Sequence, residues 1–238
     1  MCLLIFKPKN STPNWDALRE GFKYNPDSAG FAVHHSGSVY TSKAFWDFDS
    51  FQKAFERFSN HDAIVHFRIA THGGKTESNC HPFDVGMECP WAIEPNKLVV
   101  AHNGVLPYYN PKQADISDTR QFIRAAIAPR IKGSNVRAIQ AHQLVLETMA
   151  QGSKLVTMDY TGQVTILNES AGIWDSGIWY SNESYVTGYG WDAWDDEYES
   201  RFDYLMPSDI RTIILMSESG MTPDDILNAI QRNVGIPK

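Results

Sequence analysis

Apolar positions along the chain come in short continuous runs, in alternation and at helical spacing, and each pattern predicts an element. Leu3, Leu4, Ile5 and Phe6 form an unbroken apolar run, as in a strand buried on both faces, which makes Cys2 the first residue of a core strand instead of part of a frayed end. Residues 30–35 and 38–41 flank Ser36-Gly37 and predict a hairpin. Phe51, Phe55 and Phe58 recur at helical spacing and predict an amphipathic helix over 49–58. A strand follows over 63–69, then a loop rich in Gly, Ser, Thr and Asn over 71–82, then a strand over 98–102 that ends at Asn103-Gly104. Ser117 is a good cap for a helix over 117–128, a second helix is predicted over 135–150, and 154–159 with 163–168 predict a hairpin turning at Thr161-Gly162. The order is strands, helices, then strands, with no internal repeat.

Beyond residue 185 the character changes. Residues 191–199 are acidic and aromatic, and Thr222-Pro223-Asp224-Asp225 carries a cap, a first-turn Pro and acids at the positive helix end, which predicts a last helix. The division expected is a main domain over 2–185 and a C-terminal extension over 186–238, which either packs on the domain or offers Ile226, Leu227 and Ile230 to a partner.

With 238 residues, 42% of them hydrophobic, the chain can bury one large core. A net charge of −7 without a basic run excludes nucleic acid as the main partner. No stretch approaches the roughly 18 apolar residues of a membrane span, and the start lacks the basic lead of a signal peptide, so a cytoplasmic protein is expected, with no membrane partner. Cys2, Cys80 and Cys89 fit neither a disulfide framework nor a paired zinc site and are expected as reduced thiols. Histidines are numerous, but none stands at a metal-ligand spacing, so neither metal nor cofactor is expected.

Candidate chemistry lies in separate segments, each open to a blander reading when taken alone. Cys2, freed by removal of Met1, would pair a thiol nucleophile with an α-amine of pKa roughly 7.7–8.0 that can take its proton; a buried cysteine is otherwise a small hydrophobe. Arg68, Thr71 and His72 end a strand ahead of Gly73-Gly74, where an Arg fork can hold a carboxylate or simply form a structural ion pair. The Asn103 side-chain amide and the Gly104 N–H could face a developing oxyanion, or form an ordinary Asn-Gly turn. Asp118, at a helix start, could receive an ammonium group or serve in capping.

Taken in order, these segments resemble the class II, or N-terminal-nucleophile, glutamine amidotransferases. The resemblance rests on Cys2 before an apolar strand, Arg68-x-Ala70-Thr71-His72-Gly73, Asn79-Cys80-His81-Pro82-Phe83, His102-Asn103-Gly104, Ser117-Asp118-Thr119 and 177–182, and covers 2–185. It implies an α+β fold, the four-layer αββα sandwich of the Ntn hydrolases, with Cys2 as nucleophile and Asn103 and Gly104 as oxyanion donors. It also implies glutamine as substrate, its carboxylate on Arg68, Thr71 and His72 and its ammonium on Asp118. The remaining length leaves no room for a fused synthase domain, so a separate ammonia-accepting synthase or ligase is the expected partner. A γ-glutamyl amide hydrolase acting on a larger compound and a non-catalytic binding subunit are the alternative readings.

Overall fold

The computed structural model describes residues 2–70, 74–89, 98–109, 116–131 and 137–187. Among the described residues, ten strands form two antiparallel sheets. The first has the order β3 (Ser38–Phe45), β2 (Ser28–His35), β4 (Ala63–Arg68), β1 (Leu3–Lys7), β10 (Ile178–Tyr180), β9 (Ile173–Asp175); the second has β5 (Phe83–Asp84), β6 (Leu98–Asn103), β7 (Lys154–Asp159), β8 (Val164–Leu167).

Side-chain alternation along these strands produces the layers. On β1, Leu4 faces inward with Ala32, Val39 and Ile64, and meets Val99, Ala101, Val156 and Met158 of the second sheet. Its neighbours Leu3 and Ile5 face outward with Phe31, Val65 and Phe67, under helices α1 (Trp15–Tyr24) and α2 (Phe48–Phe55). The outer face of the second sheet, with Leu98, Val100, Leu155 and Leu167, packs on Phe122, Ile123, Ile127, Val145 and Leu146. These last residues come from α4 (Asp118–Phe122), a π-helical turn (Ile123–Ile127) and α7 (Gln143–Ala150), which follow α3 (Val85–Glu88) and accompany α5 (Ala128–Ile131) and α6 (Arg137–Ala141). The result is helix, sheet, sheet, helix: the α+β four-layer sandwich that the sequence resemblance implies.

Most elements stand where the hydrophobic pattern puts them, with instructive differences. Helix α2 starts at Phe48, capped by Asp47, whose Oδ1 accepts from Ser50 N at 2.8 Å, and it tightens into a 3-10 turn over Glu56–Phe58. The helix expected over 117–128 begins at Asp118 and widens into the π-turn, while the one expected over 135–150 is divided at His142 into α6 and α7. Helix α1 and the β9–β10 hairpin were absent from the expected set. Both carry local signals: Asn14 Oδ1 caps α1 by accepting from Ala17 N at 3.1 Å, and Ser176 and Gly177 turn with φ of 50° and 78°, much as Ser36 and Gly37 do with 52° and 74°. The features read beyond residue 187 lie outside the described residues. Among the described residues no helix is long and apolar enough to cross a membrane, and Cys2, Cys80 and Cys89 are free thiols.

Gly30 is where the first sheet meets the loop after residue 74. A Cβ there would run into the His81 carbonyl and stand 2.9 Å from Lys43 Cβ. Gly30→Ala is therefore expected to destabilise the protein by about 1–3 kcal/mol through overpacking, read as a lowered urea midpoint; an unchanged midpoint would show that the loop yields freely.

Candidate active site

Three strand ends converge on one end of the space between the sheets. Cys2 shares the inward parity of Leu4, and Arg68 that of Ile64 and His66, while Asn103 on β6 shares that of Ala101. Strand β1 is paired along its length with β4, from Leu3↔Phe67 to Lys7↔Ala63, and pairs with β10 through Ile5↔Tyr180 and Phe6↔Trp179. Cys2 Sγ donates to the Ile69 carbonyl at 3.4 Å, and its own carbonyl accepts from Asn182 Nδ2 at 2.8 Å. Burial pushes the Cys2 thiol above its ordinary value, with Arg68 opposing that rise and Asp118 adding to it.

Arg68 is buried and donates from Nη1 to the Gly74 carbonyl at 3.1 Å, so the cation braces the loop beyond its strand. Asn79 Nδ2 reaches the same carbonyl at 3.3 Å. Asp27 serves the other side of this strand end, accepting from Ala70 N at 2.7 Å and pairing with the Lys75 ammonium. Burial works to raise the Asp27 carboxyl, but Lys75 and the Ala70 N–H outweigh it and hold the group below its usual range. Thr71 and His72 lie outside the described residues.

On the second sheet, Asn103 is 2% exposed, and its terminal amide stands 2.8 Å from Ser181 Oγ. Gly104 follows at φ +141°, and a Cβ there would lie 2.8 Å from Ser153 Cβ, so both backbone and space require glycine. Asp118 opens α4, accepting from Leu106 N at 3.1 Å and from Thr119 N at 2.7 Å. Arg120 and Arg124 each bond Glu88 at 2.8 Å and fix α4 and the π-turn against α3.

Behind these groups lies a buried cluster of His66, His81 and His102, whose convergence no local spacing in the sequence signalled. His66 Nε2 donates across the sheets to the His102 carbonyl at 3.0 Å, and the His66 and His81 rings stack at 4.1 Å. Thr119 Oγ1 contacts His102 Nδ1 at 2.9 Å, His81 Nε2 at 3.3 Å and Asp118 Oδ1 at 3.3 Å. A carboxylate only accepts, so the threonine proton goes to Asp118 and both imidazoles donate to the hydroxyl as neutral tautomers. Their remaining nitrogens, His102 Nε2 and His81 Nδ1, are buried without a partner, and a second proton on either would have no acceptor. Burial accordingly pushes His66 down to about 3 and His102 down to about 4, and His81 is also held well below its ordinary value.

The structure therefore brings Cys2, Arg68, Asn103, Gly104 and Asp118 to one end of the sandwich. Ser181, Asn182 and Asp27 join them without having been singled out as site residues; Ser181 and Asn182 were legible only as part of the 177–182 match. Among the described residues no group of three or more His, Cys, Asp or Glu side chains could hold a metal ion.

No family model matches the chain. It is similar to the glutamine–fructose-6-phosphate aminotransferase of Corynebacterium glutamicum, 26% identical over 148 residues, which cover 58% of this chain and 20% of that protein. The enzyme of the same name from Streptomyces coelicolor is 30% identical over 95 residues, 39% of this chain and 14% of that protein. The Pyrococcus horikoshii enzyme is 29% identical over 107 residues, 42% and 17% respectively. The first of these matches spans about a fifth of its relative's length. Among solved structures, the glutamine phosphoribosylpyrophosphate amidotransferase of B. subtilis, complexed with ADP and GMP, aligns with a TM-score of 0.42 at 14% identity, covering 76% of this chain and 42% of that one. At that score the likeness carries no argument, and the layering stands on the two sheets themselves. The resemblance to the class II glutamine amidotransferases read from the motifs is shown by these relatives.

The histidine cluster sets a pH dependence with a definite sign. Each imidazole titrates lower folded than unfolded, where the ordinary value is 6.5. The unfolded chain thus takes up protons that the folded one refuses, and stability present above pH 6.5 is lost as pH falls toward 4, by up to about 1.4 kcal/mol per pH unit for each histidine. The urea midpoint should fall steadily between about pH 7 and 5; a flat midpoint over that interval would contradict the neutral cluster.

Proposed function

We propose that this protein hydrolyses the side-chain amide of glutamine through a γ-glutamyl thioester on Cys2 and releases the ammonia to a synthase. The observation that carries the reading is the convergence of Cys2, Arg68, Asp118 and the Asn103-Gly104 pair at one end of the intersheet space. The relatives bear names of glutamine-dependent aminotransferases, which supports glutamine as substrate and a synthase as ammonia acceptor. The amidotransferase unit occupies 2–185, with 186–238 as an extension, and a reduced-thiol nucleophile suits the cytosol.

The free thiol, with a pKa of roughly 8.5, is mostly protonated at neutral pH, so Cys2 needs a base at the moment of attack. With Met1 removed, its own α-amine supplies that base. Sγ attacks the side-chain carbonyl carbon of glutamine while its proton passes to the amine. The carbonyl π bond becomes an oxyanion held by the Asn103 amide and the Gly104 N–H. Collapse breaks the C–N bond, and the stored proton leaves with nitrogen as ammonia. Water then attacks the thioester with the amine again as base, releasing glutamate and restoring the thiol.

Binding uses charge at the other end of the substrate. The Arg68 guanidinium takes the α-carboxylate, with Thr71 and His72 in support, and Asp118 takes the α-ammonium. The Arg68–Gly74 bond links carboxylate binding to the following loop, which closes over the substrate and excludes water.

Asn103→Ala is expected to lower kcat for glutamine hydrolysis by about 10²–10³ with little change in KM, because the oxyanion exists only in the transition state. Asp118→Asn should instead raise KM, and Cys2→Ala should abolish turnover, all read as glutamate release. An Asn103→Ala enzyme running at the wild-type rate would contradict the reading.

A further inference from the structure

Ser181, just past β10, meets both backbone polar groups of Leu4 on one edge of β1. Its N–H donates to the Leu4 carbonyl at 2.8 Å, and its Oγ accepts from the Leu4 N–H at 2.9 Å. The next residue continues the grip: Asn182 Oδ1 accepts from Ser184 N at 3.1 Å, which fixes that amide and leaves its Nδ2 to donate to the Cys2 carbonyl at 2.8 Å. The same Ser181 Oγ stands 2.8 Å from the Asn103 amide on the opposite sheet, with Ser181 1% and Asn103 2% exposed. One buried hydroxyl thus touches the backbone two residues from Cys2 and the side chain that the proposed reaction uses as an oxyanion donor.

A terminal amide has two orientations, and the hydrogen-bond network decides between them. As placed, Asn103 Nδ2 points at Ser181, so the serine oxygen accepts twice, its own hydrogen has no acceptor among the described residues, and Asn103 Oδ1 is buried without a donor. With Oδ1 toward Ser181, the hydroxyl accepts from Leu4 and donates to Asn103, so it is fully used. Nδ2 then takes the buried position that has no hydrogen-bond partner in the structure, so in the proposed reaction its hydrogens are satisfied when the negative oxygen arrives.

We propose that Ser181 is a positioning residue for this reaction: its hydroxyl donates to Asn103 Oδ1, turns Nδ2 toward the oxyanion, and ties that donor to the strand that carries Cys2. The inference rests on the glutaminase reading for its catalytic meaning and on the hydrogen-bond network alone for its geometry.

Kinetics and a direct view of hydrogens test it separately. Ser181→Ala should lower kcat by about tenfold or more, short of the loss with Asn103→Ala, while KM stays within about twofold. In an Asn103→Ala background the same change should lower kcat further by no more than about twofold, since Ser181 acts through a side chain already gone. Losses that multiply, or a Ser181→Ala enzyme at the wild-type rate, would overturn the proposal. Neutron diffraction from the deuterated wild-type protein reads the orientation even if Ser181→Ala fails to fold. Deuterium between Ser181 Oγ and Asn103 Oδ1 is expected, and an Nδ2 deuteron pointing at Ser181 would overturn the inference. Wild-type protein that leaves glutamine intact would sink the glutaminase reading while the neutron result still judged the geometry.

Discussion

Everything at the candidate site depends on β1 being paired on both edges. The first residues of a chain ordinarily fray, because few contacts repay their lost conformational entropy. Here Leu3, Leu4 and Ile5 are fully buried, β4 holds one edge throughout, and β10 with the Ser181-Asn182 segment holds the other. Cys2 is left one residue from a rigid strand, half-buried, with its Sγ on the Ile69 carbonyl. The proposed reaction, in which Cys2 borrows its own terminal amine, would need this arrangement, since a base on the same residue works only if that residue holds still.

The electrostatic design follows from the same burial. Among the described residues, this end of the sandwich holds two buried cations, Arg68 and Lys154, near two carboxylates, Asp27 and Asp118, and a set of imidazoles that burial keeps neutral. Kept neutral, the histidines would add no charge to compete with Arg68 for a carboxylate in the proposed reaction. Their hydrogen bonds instead pass through Thr119 to Asp118 and fix the acid that the substrate ammonium would meet. Their value is in orientation, and acid that charges them removes it.

The elements legible in the sequence were those with a strong local period. The unbroken run at 3–6 gave β1, and the phenylalanines at 51, 55 and 58 gave α2 with its closing turn. The hairpin at Ser36-Gly37 was read while its near copy at Ser176-Gly177 went unread, because the strands flanking the latter are only three residues each. Strand β5, of two residues, has no local period at all, and the π-turn in the middle of a helical pattern changes one hydrogen-bond step that periodicity cannot register. The candidate site divides the same way. Arg68 and Asn103 were legible as polar residues closing apolar strands, whereas the parts of Asp27 and Ser181 exist only through partners 43 and 78 residues away along the chain.

Intact mass measured before and after incubation with 6-diazo-5-oxo-L-norleucine, a glutamine analogue that alkylates such nucleophiles, tests the central claim most directly. The account predicts a chain lacking Met1 that gains a single adduct on Cys2, with none on Cys2→Ala. A chain that retains Met1 and stays unlabelled would contradict it.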